Sequence, residues 1–220
     1  DLATRTLLWG FQYQKALPDN GRGAVFFQRT VAAMQARQMG QRWSDATVTI
    51  HDGRVLITPI ESDEMYCLDL LTGKSLWPTT KRGDLLYVGG VHDGKAILVG
   101  KQNLTALRWE NGSPAWMAPA DYPDGGLVSG RGFQSDAHYY VPTTASQLVR
   151  IDLQTGKVDQ QVRTEKPLGN LICYHDEIVA QGVDGLSTFP MVGPLRKSVA
   201  ARLEQNPRDS QSLARLAELQ

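Results

Sequence analysis

The chain has 220 residues, 41% apolar and 21% charged, with 23 basic and 23 acidic side chains and a net charge of zero. That size and composition suit a soluble globular protein with ample core. The charge balance excludes a general nucleic-acid binder, which needs a basic excess against phosphates. No apolar run approaches the roughly 18 residues of a membrane-spanning helix.

In chain order, residues 1–9 come first. Asp1-Leu2-Ala3-Thr4-Arg5-Thr6-Leu7-Leu8-Trp9 aligns with Asp69 through Trp77, with Arg5 standing where the later segment has Gly73. It reads as the last strand of a four-stranded unit. Residues 10–44 read as an insertion: Trp9 to Trp77 is 68 positions, against 39 from Trp77 to Trp116. Within it, residues 10–22 carry loop-forming Gly, Pro, Asp and Asn. Val25 to Met39 reads as a helix, with Phe27, Val31, Met34 and Gln38 at helical spacing and Gly40 as its C-cap.

Residues 45–190 repeat with a period near 40. Gly73, Gly112 and Gly156 are separated by 39 and 44 positions, and Asp52, Asp93, Asp136 and Asp176 by 41, 43 and 40. Two landmarks in phase make a strong periodic signal. His51-Asp52-Gly53 and His92-Asp93-Gly94 supply the left-handed backbone of tight hairpins, and the glycines at 73, 112 and 156 close a second hairpin. Short β-branched or aromatic runs lie between the turns: Thr47–Ile50, Val55–Ile57, Ala96–Val99, Tyr139–Val141 and Ile178–Ala180. Four short antiparallel strands per 40 residues describe the blade of an all-β propeller, with about four blades visible.

The string Leu68-Asp69-Leu70-Leu71-Thr72-Gly73-Lys74-Ser75-Leu76-Trp77 resembles the blade signature of the quinoprotein-like (PQQ-repeat) propellers. The resemblance implies a structural motif of Trp9, Cys67, Asp69, Gly73, Trp77, Ala106, Gly112, Trp116, Asp152 and Gly156, in which each Trp docks on a neighbouring blade. The third repeat departs from it, with Arg150 at the small-residue position and Gln160 at the Trp position, so its outer edge is expected to be more polar. The fourth repeat stops at Pro190 with no Gly turn or fourth strand, since proline cannot donate to a ladder. Either earlier blades precede residue 1 or residues 1–9 close the ring by completing that last blade. A start at Asp1 without Met or a signal-like stretch reads as a mature or partial chain.

Residues 191–220 turn helical. Leu195, Val199 and Leu203 form one stripe, Asn206-Pro207 breaks it, and Ser210 caps a second helix carrying Leu213, Leu216 and Leu219. The pair resembles part of a tetratricopeptide-repeat array, which implies stacked neighbours and a chain that continues past Gln220.

Chemistry is sparse. His51, His92 and His175 fall at equivalent positions of different blades, too far apart around a ring to share one metal. Glu61–Glu64 and Asp121–Asp124 read as solvated loops without a calcium pattern. Gly125-Gly126 and Gly130-Arg131-Gly132 are not followed by a helix, so they form no phosphate cradle. Cys67 and Cys173, 106 positions apart, read as two buried small thiols without a metal spacing or disulfide framework.

No catalytic, cofactor-binding or metal site and no cofactor are therefore expected. The family resemblance implies a non-catalytic binding or assembly scaffold with a protein partner, akin to the propeller lipoprotein of the bacterial outer-membrane barrel-assembly machine. It implies an extracytoplasmic setting, periplasmic or in the cell envelope. The alternative is a propeller holding a small ligand or a quinone cofactor, as a dehydrogenase or sensor. The quinone dehydrogenases of this family use adjacent cysteines and a full eight-bladed ring.

Overall fold

A computed structural model describes residues 6–15, 42–174 and 177–219. Residues 1–5, the helix expected over Val25–Met39, and the His175-Asp176 turn lie outside them. Among the described residues the strands form four antiparallel sheets in chain order. Blade 1 comprises β1 (Thr49–His51), β2 (Arg54–Ile57), β3 (Glu64–Asp69) and β4 (Thr80–Lys81). Blade 2 holds β5 (Leu85–His92), β6 (Lys95–Gly100), β7 (Asn103–Arg108) and β8 (Ala120–Asp121). Blade 3 holds β9 (Phe133–Ser135), β10 (His138–Thr143), β11 (Gln147–Asp152) and β12 (Lys157–Arg163). Blade 4 has only β13 (Asn170–Tyr174), β14 (Glu177–Gln181) and β15 (Leu186–Pro190). The first strands β1, β5, β9 and β13 adjoin one another in turn, so they are the inner strands. The all-β propeller expected from the repeat is the observed fold.

Turn chemistry sets the blades. Asp52 and Gly53 lie at φ +49° and +70°, and Asp93 and Gly94 at +49° and +68°. Left-handed backbone at both central positions is the two-residue hairpin geometry, and it pairs His51 with Arg54 and His92 with Lys95. The Asp-x-x-Thr-Gly turn has its own fastening. Asp69 Oδ1 accepts the Thr72 amide and hydroxyl at 2.7 Å each, and Asp152 Oδ1 accepts those of Thr155 at 2.6 and 2.8 Å.

Each blade then packs both faces. In β6, Ala96 and Leu98 point into the core shared with blade 1, while Ile97 and Val99 point into the core shared with blade 3. Strand side chains alternate, so a central strand flanked by two blades must be apolar at every position. Trp43, next to the end of the expected insertion, belongs to the same blade 1–blade 2 core at 2% exposure.

The tryptophans join blade to blade. Trp9, Trp77 and Trp116 donate their indole N–H to the carbonyls of Leu70, Trp109 and Leu153, at 3.0, 3.1 and 3.3 Å. Each of those acceptors stands three residues before the repeat glycine of the next blade. The ring lies flat on that glycine: a Cβ at Gly73 would meet Trp9 at 2.6 Å and one at Gly112 would meet Trp77 at 2.8 Å, with Gly156 under Trp116 closer still. The glycines thus serve twice, at φ between +68° and +73° for the turn and as bare pads for an indole. Swinging Trp77 and Trp116 outward interrupts the fourth strand. Blade 1 makes a single bridge at Leu68–Ser75 before β4 resumes, and blade 2 does the same at Leu107–Pro114 before β8. β12, with Gln160 in that place, runs unbroken beside β11 apart from one bulge.

The polar outer edge expected of blade 3 is present. Arg150 grips Asp159 with two hydrogen bonds of 2.9 and 3.0 Å, His138 Nε2 lies 3.2 Å from the same carboxylate, and β12 is almost wholly exposed. Blade 4 explains it. At Pro190, where the other blades place Asp69, Arg108 and Asp152, the chain runs on into a helix and makes no Gly turn. Blade 3 has no pad to dock on, and only the inner halves of blades 3 and 4 share a core, around Leu168, Leu171, Ile178 and Ala180.

The helical pair is α1 (Val192–Gln205) and α2 (Ser210–Glu218). α1 begins before Pro194, which sits in its first turn, where a missing N–H costs nothing. The cap of α2 is Asp209, not Ser210 as expected: its carboxylate accepts the Gln211 amide at 3.3 Å and the Ser212 hydroxyl at 2.5 Å. Among the described residues no helix is long and apolar enough to cross a membrane.

Trp77→Ala should cost about 3–5 kcal/mol of stability in urea titrations, as for other buried aromatics. Gly112→Ala strikes the same contact from the other side, so the double variant should lose less than the sum of the singles; an unchanged midpoint in Trp77→Ala contradicts the docking. Cys67 is fully buried and burial pushes its thiol up to about 11, whereas Cys173 is half-buried. A thiol reagent at pH 8 should therefore modify Cys173 first and reach Cys67 only on unfolding.

Candidate functional site

The loops that lead into the inner strands gather polar groups from all four blades. Asp45 comes from the approach to β1, Tyr87 from β5, Arg131 from the approach to β9 and Asn170 from the start of β13. Arg131 stands at the centre. Its guanidinium pairs with the Asp45 carboxylate and lies 5.0 Å from the centroid of the Tyr87 ring. Its amide donates to Asn170 Oδ1 at 2.8 Å, and its carbonyl accepts the Leu171 amide at 2.7 Å. Tyr87 Oη accepts the Gly132 amide at 2.9 Å. Ser129 adds a tie to the Leu168 carbonyl at 2.5 Å.

Glycine makes this convergence sterically feasible. A Cβ at Gly130 would run into the backbone of Gly169, and one at Gly132 into the Tyr140 carbonyl. Gly130-Arg131-Gly132 is thus a close backbone crossing between blades 3 and 4 that leaves only the arginine to reach outward. It leads into a strand, as the absence of a following helix requires, and it cradles no phosphate.

Electrostatics favour the charged pair. Burial pushes the Asp45 carboxyl up, but hydrogen bonds from Thr47 and Arg131 outweigh it and leave the group below the usual carboxylate range. Burial pushes the Tyr87 hydroxyl up, partly offset by the Gly132 amide, and pushes Tyr139 beside it well above the usual phenol range. Both phenols are therefore neutral hydrogen-bonding groups. The arrangement leaves a half-exposed guanidinium lying over the buried Tyr87 ring, with Asn170 exposed beside it.

The motif residues expected from sequence lie elsewhere. Trp9, Trp77, Trp116, Gly73, Gly112 and Gly156 form the inter-blade docks, Asp69 and Asp152 the turn fastenings, and Cys67 and Ala106 the buried face of the third strands. The histidines stay apart: His51 packs edge-on against Trp109 at 5.6 Å, and His92 Nδ1 lies 3.1 Å from Gln134 Nε2. Among the described residues no three His, Cys, Asp or Glu side chains gather in a metal-sized group. The acidic segments keep Glu61, Asp63, Asp121 and Asp124 exposed, as expected, and bury only residues between them. Ser62 is buried beside the Tyr66 hydroxyl, and Tyr122 is buried with its hydroxyl on the Gly100 and Asn103 carbonyls.

Repeat analysis misses the Arg131 cluster because it is not periodic. Asp45 precedes its blade's turn aspartate by seven positions, Tyr87 by six and Arg131 by five. The available signal was the arginine bracketed by two glycines.

A family model described as outer membrane protein assembly factor BamB matches residues 1–183. The chain belongs to the BamB family. Among solved structures it is similar to BamB from Moraxella catarrhalis, at 18% identity and a TM-score of 0.50, over 66% of this chain and 46% of that one. The computationally designed Ika4 protein matches at 11% identity and a TM-score of 0.53, over 69% of this chain and 94% of that one. The designed Ika8 protein matches at 11% and 0.50, over 66% and 45%. These likenesses carry the fold, and the chain spans less than half the length of the Moraxella BamB. No curated protein sequence matches it.

For the Arg131 cluster, Arg131→Gln should lower stability by about 1 kcal/mol at neutral pH, the sum expected of a half-exposed ion pair and a cation–π contact. Because the Asp45 pKa is depressed in the folded state, the pair's contribution is complete above the ordinary carboxylate pKa near ~3.9 and is lost as pH falls through the lower folded value. The gap between wild type and Arg131→Gln should thus narrow below about pH 4. A gap constant from pH 7 to 3 refutes the pairing.

Proposed function

We propose that the chain is a non-catalytic propeller scaffold in outer-membrane protein assembly, working outside the cytoplasm in the cell envelope through protein–protein contacts. The observation that carries this reading is the BamB family match over residues 1–183. The site geometry supports it. The inner-strand loops offer Arg131, Asp45 and Asn170 on a frame held by indole docks, a fixed pattern of hydrogen-bonding groups of the kind that specifies a protein partner.

Removing the gene from its host is expected to lower the folded β-barrel proteins of the outer membrane, read as heat-modifiable bands in envelope fractions. Restoring the wild-type gene should recover them, and the Arg131→Gln form should recover fewer at equal protein level. Barrel levels unchanged by the deletion overturn the proposal. So does tight, stoichiometric binding of PQQ with calcium in a calorimetric titration of the purified chain.

A further inference from the structure

The Gly turn of blade 2 is built from different residues than its counterparts. Blades 1 and 3 read Asp-x-x-Thr-Gly at 69–73 and 152–156, whereas blade 2 reads Arg108-Trp109-Glu110-Asn111-Gly112. The carboxylate that fastens the other two turns is replaced by Arg108, and main-chain groups hold the loop instead. The Asn111 and Gly112 amides both donate to the Arg108 carbonyl, at 3.3 and 2.8 Å, and the Arg108 amide donates to the Ser113 carbonyl at 2.7 Å. Asn111 Oδ1 accepts the Ser113 amide at 2.9 Å.

Asparagine is chemically labile, and most so before glycine, whose amide nitrogen has no neighbouring side chain to hinder its attack on the asparagine Cγ. Among the described residues Asn111 alone precedes a glycine: Asn103 and Asn170 precede leucines, and Asn206 precedes Pro207, which has no N–H. Asn111 is also exposed, so water and base reach it. The hydrogen bond from Ser113 folds the carboxamide back along its own main chain. It also draws charge onto Oδ1, the atom on which negative charge develops when Cγ is attacked.

Two contacts restrain the attacking nitrogen. The Gly112 N–H is committed to the Arg108 carbonyl, and the Trp77 indole lies on Gly112 where a Cβ would meet it at 2.8 Å. For the nitrogen to reach Cγ, the Gly112 peptide must rotate, give up that hydrogen bond and leave the ring. The restraint is thus the inter-blade dock, and it is lifted whenever the blade 1–blade 2 junction opens locally.

We propose that Asn111 is a modification site whose rate of reaction is set by the Trp77–Gly112 dock. The Gly112 nitrogen loses its proton to solvent base and bonds to Asn111 Cγ. The Cγ–Nδ2 bond breaks and ammonia leaves, giving a cyclic succinimide. Water then adds to either ring carbonyl and breaks its bond to nitrogen, leaving aspartate or isoaspartate at position 111. Isoaspartate routes the main chain through Cβ and Cγ, which lengthens the turn by one carbon, and it places a negative charge beside Glu110. A lengthened turn displaces the pad from the indole, so the modified chain has a weakened blade 1–blade 2 junction.

The test incubates the purified 220-residue chain in mildly alkaline buffer and follows it by brief tryptic digestion. Peptide 109–131, in which Asn111 is the one side-chain amide, is expected to gain the mass of an amide-to-acid exchange and to accept methyl groups from an isoaspartyl methyltransferase. Trp77→Ala should speed the gain by about tenfold or more, because the open population rises. Trp77→Phe, which keeps a ring but not the N–H bonded to Trp109, should fall between it and wild type. Trp9→Ala strikes the dock on Gly73, leaves Gly112 covered, and should not accelerate the reaction. Asn111→Thr, the residue of blades 1 and 3, should abolish the gain, and the acidic fraction from anion exchange should unfold at lower urea. The proposal fails if the peptide keeps its mass while a synthetic peptide of residues 108–114 converts completely. It fails if neither Trp77 variant reacts faster than wild type, or if Trp9→Ala accelerates the reaction as much, which places it in whole-chain unfolding. An acidic fraction as stable as the unmodified chain overturns the effect on the junction.

Discussion

The architecture depends on an indole laid flat on a glycine. A strand blade has two apolar faces and is unstable alone, so stability comes from the junctions between neighbours. The Trp–Gly dock fastens the outer half of the blade 1–blade 2 and blade 2–blade 3 junctions, with the indole N–H directed to one carbonyl and the ring filling the space a Cβ would take. It has a cost in the same blade. The backbone must leave the ladder for the side chain to reach across, and blades 1 and 2 show that interruption between the Gly turn and the resumed fourth strand. The Asp-x-x-Thr fastening holds the turn without help from that part of the ladder, because the Asp carboxylate satisfies the loop's own donors.

Where the dock is absent, several features change together. Gln160 lets β12 run unbroken, Arg150 replaces a small buried residue, and the Arg150–Asp159–His138 cluster makes a solvated outer face. None of these needs a separate explanation once blade 4 ends at Pro190 without a pad. The blade 3–blade 4 junction retains its inner core and the Gly130–Gly169 crossing, so it is the thinnest of the three junctions. Native-state opening is expected to begin there, since local stability follows buried apolar contact.

The sequence displays this frame more fully than it displays the site, for a physical reason. Each blade solves the same packing problem, so Asp52, Asp93 and Asp136 or Gly73, Gly112 and Gly156 recur with a period that reading alone detects. The partner of each pattern is not visible in one dimension: the turn glycine is also the landing pad, and Gln160 and the missing Gly turn are one event. Asp209 and Ser210 are both good capping residues for α2, and only the backbone decides that Asp209 reaches the free amides. The Arg131 cluster was invisible for the opposite reason. Asp45, Tyr87 and Arg131 solve a problem posed once, at the axis, from three different offsets in their blades.

That contrast bears on how a propeller of this family acquires a function. Repeated positions are committed to holding blades together, so they are poor places to carry a specific interaction. The loops entering the inner strands are under no such obligation, yet the ring brings them within side-chain reach of one another. Arg131 exploits this by touching Asp45 and Tyr87 while its backbone holds Asn170 and Leu171. A shift of any one blade would alter a contact at that residue, which makes the inner-loop face a single rigid feature assembled from four sheets. Partner recognition needs that kind of fixed, multi-point display. A fold whose repeats are devoted to rigidity supplies such a display from the loops that the repeats leave free.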